Sequence, residues 1–105
     1  MIERLETMLA NGQDNALLRF SLGNAYLKTD PHKACEHLSR ATELDPTYSA
    51  AWKLLGQAFA ACNDDDAAVR TYERGIEVAN DKGDMQAVRE MTVFLKRLRK
   101  KSSAD

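Results

Sequence analysis

Two stretches of this chain repeat one another, and that repetition limits the folds open to it. Leu22-Gly23 is followed by Tyr26 at the interval that separates Leu55-Gly56 from Phe59, and Ala34, Leu38 and Ala41 are spaced as Ala68, Tyr72 and Gly75. Gly23 and Gly56 lie 33 positions apart. A period of this size marks a unit that cannot bury its own apolar face and must stack on a copy of itself. The alternation of small and large residues adds a geometric demand. Glycine and alanine let two helices approach closely, and the leucines and aromatics fill the space between them.

The chain in order supplies the helices that the repeat needs. Ile2, Leu5, Met8 and Leu9 recur at three- and four-residue steps and share one helical face, and Asn11-Gly12 ends that helix. Asp14 is the expected N-cap of a second helix carrying Leu17, Leu18, Leu22, Gly23, Tyr26 and Leu27. Asp30-Pro31 reads as N-cap and first residue of a third, which runs to Asp45-Pro46. A fourth helix carries Trp52, Leu55, Gly56 and Phe59 and stops at Asn63-Asp64-Asp65-Asp66, whose carboxylates suit the start of a fifth. A turn over Asp81-Lys82-Gly83-Asp84 precedes a last helix from about Met85 to Lys101, with Val88, Met91, Leu95 and Leu98 on one face.

Trp52, Leu55, Gly56 and Phe59, followed by Ala68, Tyr72 and Gly75, resemble one tetratricopeptide repeat, and the earlier stretch resembles a second. The resemblance implies an all-α solenoid of helical hairpins, about six antiparallel helices in a right-handed superhelix. Its expected units are an N-terminal half repeat over 1–12, full repeats over 14–46 and 47–80, and a C-terminal half repeat or cap over 84–101, with 102–105 as a disordered tail. The family period is about 34, so the first repeat is one residue short, in its turn around Lys28 and Thr29. Arg19 occupies the position of Trp52, which predicts looser or rearranged packing in the first repeat.

Composition narrows the function. At 105 residues, 44% hydrophobic and 30% charged with a net charge of −1, the chain has the make-up of one water-soluble helical domain rather than a polycation. Its start lacks a basic-then-apolar leader, and no apolar run is long enough for a membrane span. Cys35 and Cys62 match neither a disulfide framework nor a zinc knuckle, which favours a reducing, cytoplasmic setting. His32, Cys35 and His37 do not converge as metal ligands on one helix, and both histidines read as surface residues. Cys62 lacks an adjacent base and reads as a packing residue. The three aspartates of the turn lack the alternating ligands and glycine of a calcium loop. With no phosphate loop, nucleophile elbow or zinc-protease pair, the expectation is a non-enzymatic chain without cofactor or metal.

What the resemblance implies instead is a protein-interaction module, adaptor or scaffold whose first helices line a concave groove for an extended peptide or partner helix. Counted from Gly23, the groove positions are Leu17, Phe20, Asn24, Leu27 and Lys28; from Gly56, they are Ala50, Lys53, Gln57, Ala60 and Ala61. The last helix contributes Gln86, Arg89, Val93, Lys96 and Arg97. That surface reads as apolar at one end and basic at the other, with carboxylates only at its periphery, and suits a partner with an acidic or carboxy-terminal end. Family members that clamp chaperone tails use lysine, asparagine and arginine there; Asn24 and Lys53 fit, but Phe20 stands where the first clamp lysine belongs. The basic run Lys96, Arg97, Arg99, Lys100 and Lys101 has no interleaved aromatic to stack on bases, so it complements a helix C-terminus better than a nucleic acid. A reading of another class is self-association into a homodimer through Phe20, Leu27 and Val93.

Overall fold

Many of the helix ends have a local chemical reason. The computed structural model describes residues 1–103 and contains, among them, six α-helices and no strand: α1 (Ile2–Ala10), α2 (Ala16–Tyr26), α3 (Pro31–Leu44), α4 (Ser49–Ala61), α5 (Asp65–Lys82) and α6 (Met85–Ser103). Gly12, at φ 90°, makes the turn after α1. Asn15, not Asp14, caps α2: its side chain accepts the Leu18 amide at 2.8 Å, while Asp14 is drawn off to Arg19. Asp30 and Asp64 cap α3 and α5 through the amides of Lys33 and Ala67, and Pro31 supplies the first residue of α3. α5 runs two residues past Asn80 and closes on Gly83 at φ 83°, so the turn expected over 81–84 shrinks to Gly83 and Asp84. α6 extends through 102 and 103, where a tail was expected; 104 and 105 lie outside the described residues.

Consecutive helices pack as hairpins, and the repeat is visible in matched close approaches. A Cβ built on Gly23 would lie 2.3 Å from Leu38 Cγ, and one on Gly56 would lie 2.3 Å from Tyr72 Cε1. Leu38 and Tyr72 are the residues that the period equates, so the two hairpins, α2–α3 and α4–α5, are built on the same contact. A third approach joins the next pair, with Gly75 against Met91 Sδ and Trp52 Cβ. Two buried clusters result. One gathers Ala34, Leu38, Leu55 and Ala58; the other gathers Ala68, Tyr72, Ala79, Ala87, Met91 and Leu95. Trp52 and Phe59 touch both and hold the repeats together. Trp52 is only half-buried, and its indole N–H donates to the Pro46 carbonyl at 2.9 Å.

The helices form two layers. α4 touches both α2 and α6, whereas α3 and α5 do not touch one another among the described residues, so α2, α4 and α6 make the closer, inner layer. α6 repeats the burial of α4, with Ala87 and Met91 enclosed as Ala51 and Leu55 are. At the other end α1 leans on α2 and has no fully buried residue.

The glycine contacts set a test. Alanine at position 56 gains helix propensity of about 1 kcal/mol, but its methyl would overlap the ring of Tyr72, which is enclosed and has no free space to rotate into. Overpacking of this kind costs about 1–3 kcal/mol and outweighs the gain. Gly56→Ala and Gly23→Ala should each lower stability in urea unfolding, and a midpoint at or above wild type would show that the two hairpins are not closed on these contacts.

Candidate functional site: the inner face of α2, α4 and α6

Two polar ties fix how α4 and α6 face each other. Ser49 Oγ donates to Asp84 Oδ2 at 2.7 Å, and one turn further along Lys53 Nζ donates to Glu90 Oε1 at 3.2 Å. The helices therefore run parallel, with their N-termini level. Asp84 also accepts the Ala87 amide as the N-cap of α6, and the Ser49 hydroxyl and that amide hold its carboxyl below the usual carboxylate range. One aspartate thus starts α6 and docks it on α4.

The expected groove residues divide by what they touch. On α6, Arg89, Lys96 and Arg97 are exposed and form no ion pair with the described residues, and Val93 beside them is 46% exposed. Arg97 lies over the Phe94 ring at 6.0 Å. Gln57 and Lys53 are half-buried on α4, and Asn24 and Lys28 are exposed on α2 and just beyond it. Lys53 is already paired with Glu90, so a carboxylate sits within the basic end, where the sequence reading had carboxylates only at the periphery. At the other end Phe20 stacks on Tyr48 with ring centroids 4.9 Å apart, and both Phe20 and Leu27 pack on the chain's own core. Leu17 is 65% exposed and, with Leu5 and Met8, lines a cavity of about 190 Å³ between α1 and α2. The apolar end is thus less open than expected. The basic run at the end of α6 is also partly neutralised, because Arg99 pairs with Glu73 at 2.7 Å and Lys101 with Asp65 at 3.2 Å.

A polar network stands where the first repeat lacks its tryptophan. Arg19 reaches Asp14 through two bonds of 2.7 and 3.0 Å and places Nη1 3.0 Å from His37 Nδ1. His37, expected at the surface, is only 8% exposed; it stacks on Tyr26 at 5.7 Å and turns Nε2 toward Glu6 Oε1 at 3.6 Å. Because guanidinium can only donate, Nδ1 must accept, which leaves the proton of a neutral imidazole on Nε2, facing Glu6. The rearranged packing expected at Arg19 is therefore a chain of side chains joining α1, α2 and α3. Its one sequence signal was a cation at a position that is aromatic in the second repeat; nothing local marked His37 or Glu6 as its partners.

The profile of the tetratricopeptide-repeat family matches residues 28–91. The chain belongs to that family. A TPR repeat-containing protein of Pseudomonas aeruginosa is 56% identical over 99 residues, covering 93% of this chain and 94% of its own length. The solution structure of a Bordetella parapertussis protein superposes with a TM-score of 0.88 at 43% identity, over 100% of this chain and 92% of that one. A heat-shock protein cognate co-chaperone of Aspergillus fumigatus is 42% identical over 60 residues, which is 56% of this chain but 18% of the co-chaperone. Tetratricopeptide repeats in general mediate protein–protein interaction and are generally not catalytic. Among the described residues no three His, Cys, Asp or Glu side chains are grouped to hold a metal ion, and no helix is long and apolar enough to cross a membrane.

In this tetratricopeptide-repeat protein the burial of His37 couples the stability of the fold to pH. Burial, and then the Arg19 charge with a smaller push from Lys33, hold the imidazole pKa below its ordinary 6.5, against the pull of Glu6 and Glu36. A base with a depressed folded-state pKa binds more protons unfolded than folded as pH falls through 6.5, so its contribution to stability is present above that value and is lost below it. The melting temperature should fall as pH is lowered from 7 to 5. His37→Gln, which keeps an acceptor but cannot ionise, should melt lower at neutral pH yet show a shallower slope. Parallel slopes would remove His37 as the source.

Proposed function

We propose that this protein is a non-enzymatic adaptor whose inner face, formed by α2, α4 and α6, binds an extended peptide or partner helix with an acidic or carboxy-terminal end. The observation that carries the reading is the set of cations on α6 that have no ion-pair partner among the described residues. Arg89, Lys96 and Arg97 are exposed beside Val93 and Phe94 without such a partner, whereas Arg99 and Lys101 further along the same helix are paired. Cations next to apolar side chains suit a ligand carboxylate flanked by an apolar residue. Lys53 belongs to the same site in this reading: its Glu90 partner holds the ammonium in place until a ligand carboxylate competes for it. Gln57, Asn24 and Lys28 supply amide and ammonium donors along the path of the ligand toward Phe20, Leu27 and Leu17.

The partial similarity to a co-chaperone supports a protein partner, while Phe20 at a clamp-lysine position argues against a chaperone tail bound in the family's usual way. We also infer a cytoplasmic location, on two cysteines that are both free thiols. Self-association through Phe20, Leu27 and Val93 is the weaker reading. Phe20 and Leu27 are engaged by the chain's own core, and Val93 lies on a different helix.

Fluorescence anisotropy against a library of labelled peptides, each with a free and an amidated C-terminus, tests the proposal. Peptides with acidic, free C-termini should bind, amidation should weaken them, and Arg89→Glu/Arg97→Glu should reduce affinity by at least about tenfold, or 1.4 kcal/mol, without changing the circular dichroism spectrum. Indifference to both changes would reject this site, and a concentration-dependent dimer without peptide binding would favour self-association.

A further inference from the structure

The cysteines also depart from expectation. Cys35 and Cys62 are 27 positions apart, yet their sulfurs are 3.8 Å apart, within an S–H···S contact. Cys35 projects from the early part of α3 and Cys62 caps the end of α4, so the pair spans the junction between the first repeat and the second. Both residues are half-buried: packed enough to be held in place, open enough for a small reagent to reach. No third ligand accompanies them among the described residues, so the pair lacks the donors of a zinc site and is left with thiol chemistry.

We propose that Cys35 and Cys62 are a modification site, a dithiol that low-molecular-weight disulfides convert reversibly into an intramolecular disulfide stapling the first repeat to the second. A disulfide needs its sulfurs about 2.05 Å apart, so the present contact must close by less than 2 Å. The Cys62 amide is held by the Ala58 and Phe59 carbonyls as the C-cap of α4, so the side chains rather than the backbone have to supply this movement.

The exchange balances with the reagent alone. The Cys62 sulfur, as thiolate, attacks one sulfur of RS–SR, forming Cys62–S–S–R and releasing the first RS⁻. The Cys35 sulfur then attacks Cys62 Sγ, displaces the second RS⁻ and completes the Cys35–Cys62 bond. Two protein thiols lose two electrons and two protons, and the reagent gains both as two thiols. Burial, then the hydrogen bond and charge of Cys62, push the Cys35 thiol up to about 12, so Cys35 is assigned the second, resolving step. The pair stays reduced in a reducing compartment and closes when the disulfide pool rises, the behaviour of a transient rather than a structural bridge.

The test uses the full chain in mixtures of reduced and oxidised glutathione, quenched with acid and read by intact mass, peptide mapping and thermal melting. The wild type should lose the mass of two hydrogen atoms, yield a linked peptide containing Cys35 and Cys62, and retain no glutathione. Closing a loop of this size should raise the melting temperature by roughly 10 °C, reversibly on reduction. Cys35→Ser, which lacks the resolving sulfur, should stop as a stable glutathione adduct on Cys62. Glutathione adducts that persist on the wild type, disulfides between chains, or two thiols that survive the oxidised mixture would each overturn the proposal. A linked form that melts no higher than the reduced one would overturn the staple.

Discussion

The structure depends on how closely its helices approach at Gly23, Gly56 and Gly75. At each of these positions a side chain from a neighbouring helix occupies the place where a Cβ would stand: Leu38, Tyr72, and Met91 with Trp52. Hydrophobic burial supplies most of the driving force in such a fold, but it is non-directional and would accept many arrangements of six amphipathic helices. The glycine notches select one. They fix which face of each helix meets its neighbour and at what depth, and so decide that α2, α4 and α6 share a layer. The inner surface is a consequence of where side chains are missing from the contacts behind it.

Much of this was legible because the repeat is written in residue size. Small and large residues at a constant interval can be recognised without knowing the distance between them, and the period equates Gly23 with Gly56 and Leu38 with Tyr72, the residues that the structure then brings together in pairs. Helix boundaries were legible where the cap is local, as at Asp30-Pro31 and Asp64. They slipped where capping competes with tertiary contacts. Asp14 has the chemistry of an N-cap, but the guanidinium of Arg19 takes its carboxylate and Asn15 caps instead. The end of α5 slipped for another reason: Asn80 and Asp81 are turn formers, yet nothing forces a turn until Gly83 supplies a left-handed residue.

The candidate site was legible as a set of positions and illegible as a set of partners. Counting from a glycine shows which residues of one helix share a face, but not which residue of the next helix stands opposite. Lys53 meets Glu90 and Cys35 meets Cys62 across separations of 37 and 27 residues, set by the rise of different helices and the lengths of different turns. Neither separation equals the repeat period, so internal symmetry gives no warning of either pair. His37 was missed for a related reason. A histidine on a polar-looking helix is taken for a surface residue unless its partners are known, and Glu6 and Arg19 come from two other helices.

The two repeats are joined by different chemistry on either side of Trp52, and this bears on how the module can respond. From α4 onward the stack is held by apolar packing and by Asp84, a carboxylate kept ionised by its own hydrogen bonds, so it changes little near neutral pH. Toward the N-terminus the tryptophan gives way to Arg19, and the contacts become polar and titratable: Asp14, Arg19, His37 and Glu6, with α1 seated on them without one fully buried residue. The pair of thiols lies at the boundary between these halves. In a solenoid each unit contacts only its neighbours, so the His37 network and α6 are joined through the second repeat, whose contact with α3 is where Cys35 and Cys62 meet.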